Sequence, residues 1–199
     1  MEPTFIKSYC SISRNKISRN GVSIFNSEDA SFADFSKNAY RELQINYPKF
    51  FKMDNLSKIA FLASEVVLKG NTNRNIALLF ANRSSSLDTD VKYQNSIADE
   101  QQYFPSPAVF VYTLANIGMG EISIKNQLHT ENCFFIFDAF DAAFMTSYAK
   151  ILINTGKAAE VLCAWTEILG EDYRVFMYLV GKKGIVEHTE QTIKNLYDN

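Results

Sequence analysis

Residues Glu131–Ala143 read ENCFFIFDAFDAA, and the parsing of this stretch decides the fold. Cys133–Asp138 holds an unbroken apolar run, Phe134-Phe135-Ile136-Phe137, where a strand with one wet face would alternate apolar with polar. An unbroken run is the mark of a strand covered on both faces, so a central strand is expected here. Asp138 and Asp141 flank the turn that follows, and a helix is expected over Ala142–Thr155. At such a turn a carboxylate usually accepts from the open backbone N–H groups of the helix, so capping is the simpler reading than an acid pair with chemistry.

Working towards the N-terminus, Ile76–Ala81 (IALLFA) repeats the pattern of a doubly covered strand. Asp54 is placed to cap a helix running to about Lys69, whose apolar residues Leu56, Ile59, Ala60, Ala63, Val66 and Val67 recur at three and four, with Gly70 closing it. Between these landmarks, Asn82–Ser86 reads as a loop and the polar stretch that follows it to Gln102 as a mobile flap. Ala108–Asn116 reads as a helix and the residues from there to Ile124 as a strand. Phe5–Ile12 and Gly21–Phe25 read as short strands joined by Arg14-Asn15-Lys16, and Asn38–Tyr47 has weak helical spacing stopped by Pro48. Towards the C-terminus, Val161–Trp165 and Tyr173–Val180 read as strands and Glu187–Tyr197 as an amphipathic helix. Strands alternating with helices imply an α/β fold, a mixed β-sheet flanked by helices, in a single domain over residues 1–199.

Composition narrows the class. With 47% hydrophobic residues, sixteen Phe and ten Tyr, the chain can fill a large aromatic core. Twenty basic and 22 acidic residues are interspersed for a net charge of −2, so no basic face argues for nucleic acid. The opening MEPTFIKSYC has no basic region leading into an apolar run, and no uncharged stretch has the make-up of a membrane span. Cys10, Cys133 and Cys163 are odd in number, lie in apolar surroundings and lack CxxC spacing, which fits buried thiols in the reducing cytoplasm and gives no metal site.

Several tempting sites dissolve on inspection. His129 and Cys133 lie four residues apart, roughly 13 Å in an extended strand, too far for a thiol–imidazole pair. Gly156-Lys157 lacks the glycines of a phosphate loop, and Gly118-x-Gly120 is too short for a dinucleotide fingerprint.

The same landmarks carry a family resemblance. Tyr103–Ile124 (YFPSPAVFVYTLANIGMGEISI) is similar to the β-ketoacyl synthase segment of proline, hydrophobics, Pro-Asn-Met and small-small-Gly, with Ala115-Asn116-Ile117 in place of Pro-Asn-Met. Met53–Leu68 resembles the helix of that family that begins Met-Asp-Arg. Asn82-Arg83-Ser84-Ser85-Ser86 stands where the family has a glycine-rich loop. Glu131–Ala143 resembles the buried strand and sharp turn that present the nucleophile, and Thr155–Leu162 the helix end and strand that follow. Counted back from Gly156, the family's Thr-Ala-Cys-Ala-Ser-Gly falls on Phe137-Asp138-Ala139-Phe140-Asp141-Ala142, so Ala139 stands at the cysteine position. The chain thus resembles the thiolase-like condensing enzymes over Met53–Glu167, as a layered half-fold lacking the C-terminal catalytic half.

What the resemblance implies follows from Ala139. A ketosynthase holds its acyl chain as a thioester and an alanine methyl cannot form one. The family's two histidines have no counterpart in the contexts of His129 and His188. The implied role is that of a non-catalytic partner, similar to the chain-length factors of polyketide and aryl-polyene synthases, paired with an active ketosynthase or with itself, with an acyl carrier protein as a further partner and no cofactor. In that family the nucleophile-bearing strand lies at the two-fold axis, which implies Asn132, Phe134, Phe135, Ile136 and Asp138 as interface residues. Phe110, Met119, Phe137, Phe140 and Phe144 are then the implied acyl-pocket lining. Two other readings stay open: a homodimeric scaffold or carrier-docking module, and an enzyme such as a hydrolase using another site, for which no Ser, His and acid pattern is visible.

Overall fold

The computed structural model describes residues 2–28 and 31–199. It starts with β1 (Phe5–Ser13), β2 (Lys16–Arg19) and β3 (Val22–Asn26), joined by two tight hairpins. Arg14 and Asn15 both have positive φ, 47° and 58°, as do Asn20 and Gly21 at 51° and 81°, the backbone that two-residue hairpins of matching twist require. The polar connection expected at Arg14–Lys16 is thus a turn of two residues, and β2 is a strand that the sequence reading passed over. Asn20-Gly21 is the local signal that marks it.

Two helices follow, α1 (Phe32–Glu42) and α2 (Asn55–Val67). Ser31 caps α1 by accepting from Asp34 N, so this helix begins six residues before the expected Asn38. Asp54 caps α2, its carboxylate accepting from Ser57 N, as the spacing predicts. Gly70, at φ 82°, lies two residues beyond the cap at Leu68.

Next come β4 (Ile76–Asn82), α3 (Leu87–Ile97), α4 (Pro107–Val111) and α5 (Ile117–Asn126). Two expectations fail here. The flap is a helix, α3, fastened by Asp88, whose carboxylate accepts from Asn55 Nδ2 and Gly170 N and pairs with Lys92. The strand expected up to Ile124 is also helical, because Gly118 lets α5 lie directly on α2: a Cβ there would sit 3.2 Å from Ser57 Cα. Met119, Ile122 and Ser123 then form the buried stripe of α5 at spacings of three and four.

The remainder is β5 (Asn132–Ile136), α6 (Ala142–Asn154), β6 (Glu160–Leu169), β7 (Asp172–Gly181), β8 (Val186–Glu187) and α7 (Glu190–Asp198). The sheet order is β3-β2-β1-β7-β6-β4-β5, with β8 beside β1. β4 pairs in parallel with β5 and β6, and the other pairs are antiparallel. The mixed sheet with helices on both faces agrees with the expected class. One face packs under α1, α2 and α5 through Phe35, Phe61, Leu78 and Phe80; the other packs under α6 and α7 through Leu79, Met145, Trp165 and Tyr178. β5 is not the central strand that its apolar run predicts. It lies at the rim, beside β4 alone, with Asn132 and Ile136 exposed.

Candidate functional site

The turn between β5 and α6 is set by bonds at both ends. Phe137 N donates to Asn82 O at 3.0 Å, carrying the parallel pairing one residue past β5. Asp141 starts α6, its Oδ1 accepting from Phe144 N at 2.8 Å, which is the capping role expected of it. Between these fixed points Asp138 and Ala139 face solvent.

Ala139 opens on a cleft of about 640 Å³, shared with Arg83, Phe140, Trp165, Glu167, Arg174 and Tyr197. Its floor is aromatic: the Phe140 ring lies 6.0 Å from Trp165, 5.9 Å from Phe176 and 4.4 Å from Tyr197. Arg174 sits 3.9 Å above the Tyr197 ring and also donates to the Tyr197 carbonyl. Glu167 forms the rim, accepting from Arg83 N at 2.7 Å, from Ser84 N at 3.2 Å and from Ser84 Oγ. Asn82 closes the same loop, accepting from Ser85 N and donating to Ser85 O. The segment standing where the resembling family has glycines is therefore a tied turn, with Ser85 at φ 50°.

Neither histidine lines this cleft. His129 lies in a surface hollow with Arg74, Glu131 and Lys157. His188 is fully buried, its Nδ1 3.1 Å from Thr4 Oγ1, and burial with Lys150 nearby pushes its pKa down to about 4. Cys133 meets Tyr148 OH at 3.4 Å instead of an imidazole. Cys10 and Cys163 are buried, and burial raises both thiol pKa values, leaving them as protonated packing groups.

The sequence-derived interface residues gather along the rim of β5. Phe134 packs towards α2 and α5, Phe135 towards α6, and Asn132, Ile136 and Asp138 are exposed. The five lining candidates separate. Met119 is buried on the α2 face and Phe110, 57% exposed, rests against Tyr93 at 5.3 Å. Phe137, Phe140 and Phe144 lie on the α6 face, where Phe135, Phe137, Phe144 and Tyr148 form one aromatic cluster.

Sequence reasoning missed one buried polar network. Glu121, 4% exposed, accepts from Tyr47 OH at 3.2 Å and Tyr112 OH at 3.4 Å and pairs with Lys49 at 2.8 Å. Burial first, then the Glu121 charge, raises both phenols, Tyr112 to about 12, while the carboxylate raises Lys49. A lone charged residue, Glu121, among the buried residues of a mostly apolar helix is the signal that could have found it.

No family model and no curated protein sequence matches the chain. Solved structures do. The ishigamide ketosynthase/chain length factor matches over 90% of this chain and 62% of its own, at TM-score 0.63 and 14% identity. The structure of the ketosynthase ApeO in complex with its chain length factor ApeC, from Xenorhabdus doucetiae, contains a chain matched over 100% of this one and 91% of its own, at TM-score 0.63 and 15% identity. A type II polyketide synthase acyl-carrier protein in complex with its ketosynthase matches over 98% of this chain and 65% of its own, at TM-score 0.57 and 16% identity. This chain thus spans under two thirds of some of these structures and nearly all of another. It has the thiolase-like fold shared by ketosynthases and chain length factors.

Proposed function

We propose that the chain is a non-catalytic, chain-length-factor-like subunit that pairs along β5 with an active β-ketoacyl synthase, in polyketide, aryl-polyene or fatty-acid-type biosynthesis in the cytoplasm. The observation that supports this reading is that Ala139, the position at which the resemblance places the nucleophile, lies in the turn between β5 and the capped helix α6 and opens on a cleft. Strand, turn and capped helix surround Ala139 at an open cleft, yet its methyl cannot hold an acyl group and no histidine lines the cleft. The open rim of β5 supports pairing, since a bare apolar edge exposes backbone donors and acceptors that a second subunit can satisfy.

The test is co-purification with catalytic ketosynthases and carrier proteins from the same gene neighbourhood, with stoichiometry read by mass. A one-to-one complex with a ketosynthase is expected. The purified chain alone should not decarboxylate a malonyl carrier protein, and turnover by it would overturn the reading. Ala139→Cys should at most be alkylated or acylated without turnover, because groups that act as a unit restore little singly.

A second reading, a scaffold without control of product length, is favoured by the separation of the lining candidates onto two sheet faces. Met119→Ala and Phe140→Ala in a reconstituted complex discriminate. Longer products support chain-length control, and an unchanged distribution from an intact complex leaves the scaffold.

A further inference from the structure

The cleft that opens at Ala139 has a neighbour. A second hollow, of about 400 Å³, is lined by Ser11, Ser13 and Phe176, and the Phe176 ring also meets Phe140 on the floor of the first. Arg174, Tyr197 and Asp198 line both hollows. Their shared wall is thus the place where the Tyr197 ring of α7 lies under the Arg174 guanidinium of β7.

α7 is held unequally along its length. Its start is fixed, because β8 pairs with β1, His188 N donates to Thr4 O at 2.9 Å and the His188 ring is buried. Beyond that joint, Ile193 is the helix's one buried residue, with Leu196 and Tyr197 partly covered. The side-chain bonds of Thr189 to Thr192 and of Gln191 to Asn195 stay inside the helix. Among the described residues, Arg174 alone reaches α7 with a hydrogen bond from another element, donating to the Tyr197 carbonyl in the last turn, where the helix dipole favours a cation. A helix fixed by backbone pairing at one end and by one exposed arginine at the other has few buried contacts to lose, and such segments open locally at far less cost than global unfolding.

We infer that α7 is a strap hinged at Thr189 and latched by Arg174, which gates the cleft at Ala139. Closed, Tyr197 covers Phe140 and keeps the two hollows apart. Open, Phe140, Trp165 and Phe176 floor one groove that runs from Ala139 towards Ser11 and Ser13, so the latch controls what can lie along the sheet and reach Ala139. This device goes beyond the partner reading, which neither requires it nor falls with it.

The test uses the full chain. Its single tryptophan, Trp165, lines the cleft and meets Phe140 at 6.0 Å, so acrylamide quenching of its fluorescence reads the strap directly. Amide hydrogen exchange supplies a second readout, with α6 as internal control. In the wild type, α7 should be protected at least about tenfold less than α6. Arg174→Gln should lower the protection of α7 by about a further tenfold, leave α6 unchanged and raise the quenching constant about twofold. Should that variant fail to fold, Tyr197→Leu keeps an apolar side chain on Phe140, removes the ring under the guanidinium and should give the same result. If α7 and α6 exchange together in wild type and variant alike, they form one cooperative unit and the strap is overturned. If α7 loses protection while Trp165 stays as shielded as in the wild type, the helix frays without opening the cleft, and the gate is overturned as well.

Discussion

β4 and β5 run side by side in parallel, Leu78 beside Asn132 and Asn82 beside Ile136. Both are apolar in sequence, yet every residue of β4 is buried whereas β5 is exposed at both ends and half-buried between. The difference lies in what flanks them. β4 has a strand on each side and helices on both faces, while β5 has one neighbour strand and an open rim. An apolar run therefore does not report whether a strand lies at the centre of its sheet or at the rim.

Predictions on the isolated chain sharpen this contrast. Phe80→Ala in β4 removes a ring that is 1% exposed, and should cost about 3–5 kcal/mol in denaturant unfolding. A loss below 1 kcal/mol would mean that the centre of the sheet is less tightly packed than the structure describes. On the closed side, His188 is held neutral with a pKa near 4 against 6.5 when unfolded. Below pH 6.5 the unfolded chain binds the extra proton, so stability should fall by about 3 kcal/mol as pH drops to 4. His188→Gln should flatten that part of the pH profile, and an unaltered profile would exclude the ring as its source.

Nearer the rim, Asp141→Ala removes the cap of α6 and should cost about 1 kcal/mol by thermal unfolding, while Asp141→Asn should recover most of it. The smallest effect on folding belongs to Ile136→Lys, within about 0.5 kcal/mol because the side chain is already 52% exposed. The same substitution should abolish pairing with a ketosynthase in gel filtration. A soluble mutant that still pairs fully would remove β5 from the interface.

Where local chemistry decides structure, the sequence was legible. Asp54, Asp141, the α2 stripe and the apolar run of β4 all lead to elements that the structure contains. The reading failed where tertiary contact overrides local pattern. Between Ile117 and Ile124 the helical stripe is short, and the packing that makes it a helix turns on Gly118, whose meaning depends on Ser57 some sixty residues earlier. The same holds for α3, a polar stretch that becomes a helix because Asp88 reaches α2 and the β6–β7 turn. At the candidate site the turn was legible and the cleft was not: Arg174, Glu167 and Tyr197 meet there only through strand register and the packing of α7.

The placing of β1 constrains how the sheet can be assembled in time. Its inner neighbour is β7, with Phe5 opposite Gly181 and Ser13 opposite Arg174. On the ribosome the hairpins of β1, β2 and β3 therefore emerge with one edge of β1 unfilled, and that edge stays unfilled until β7 has been made. β6 and β7 close the sheet in a late step, joining segments separated by most of the sequence. Such long-range closure is slow, because the entropy of the intervening loop is lost before the contacts that offset it form. β1 is thus exposed to wrong pairing throughout the synthesis of the segment between it and β7.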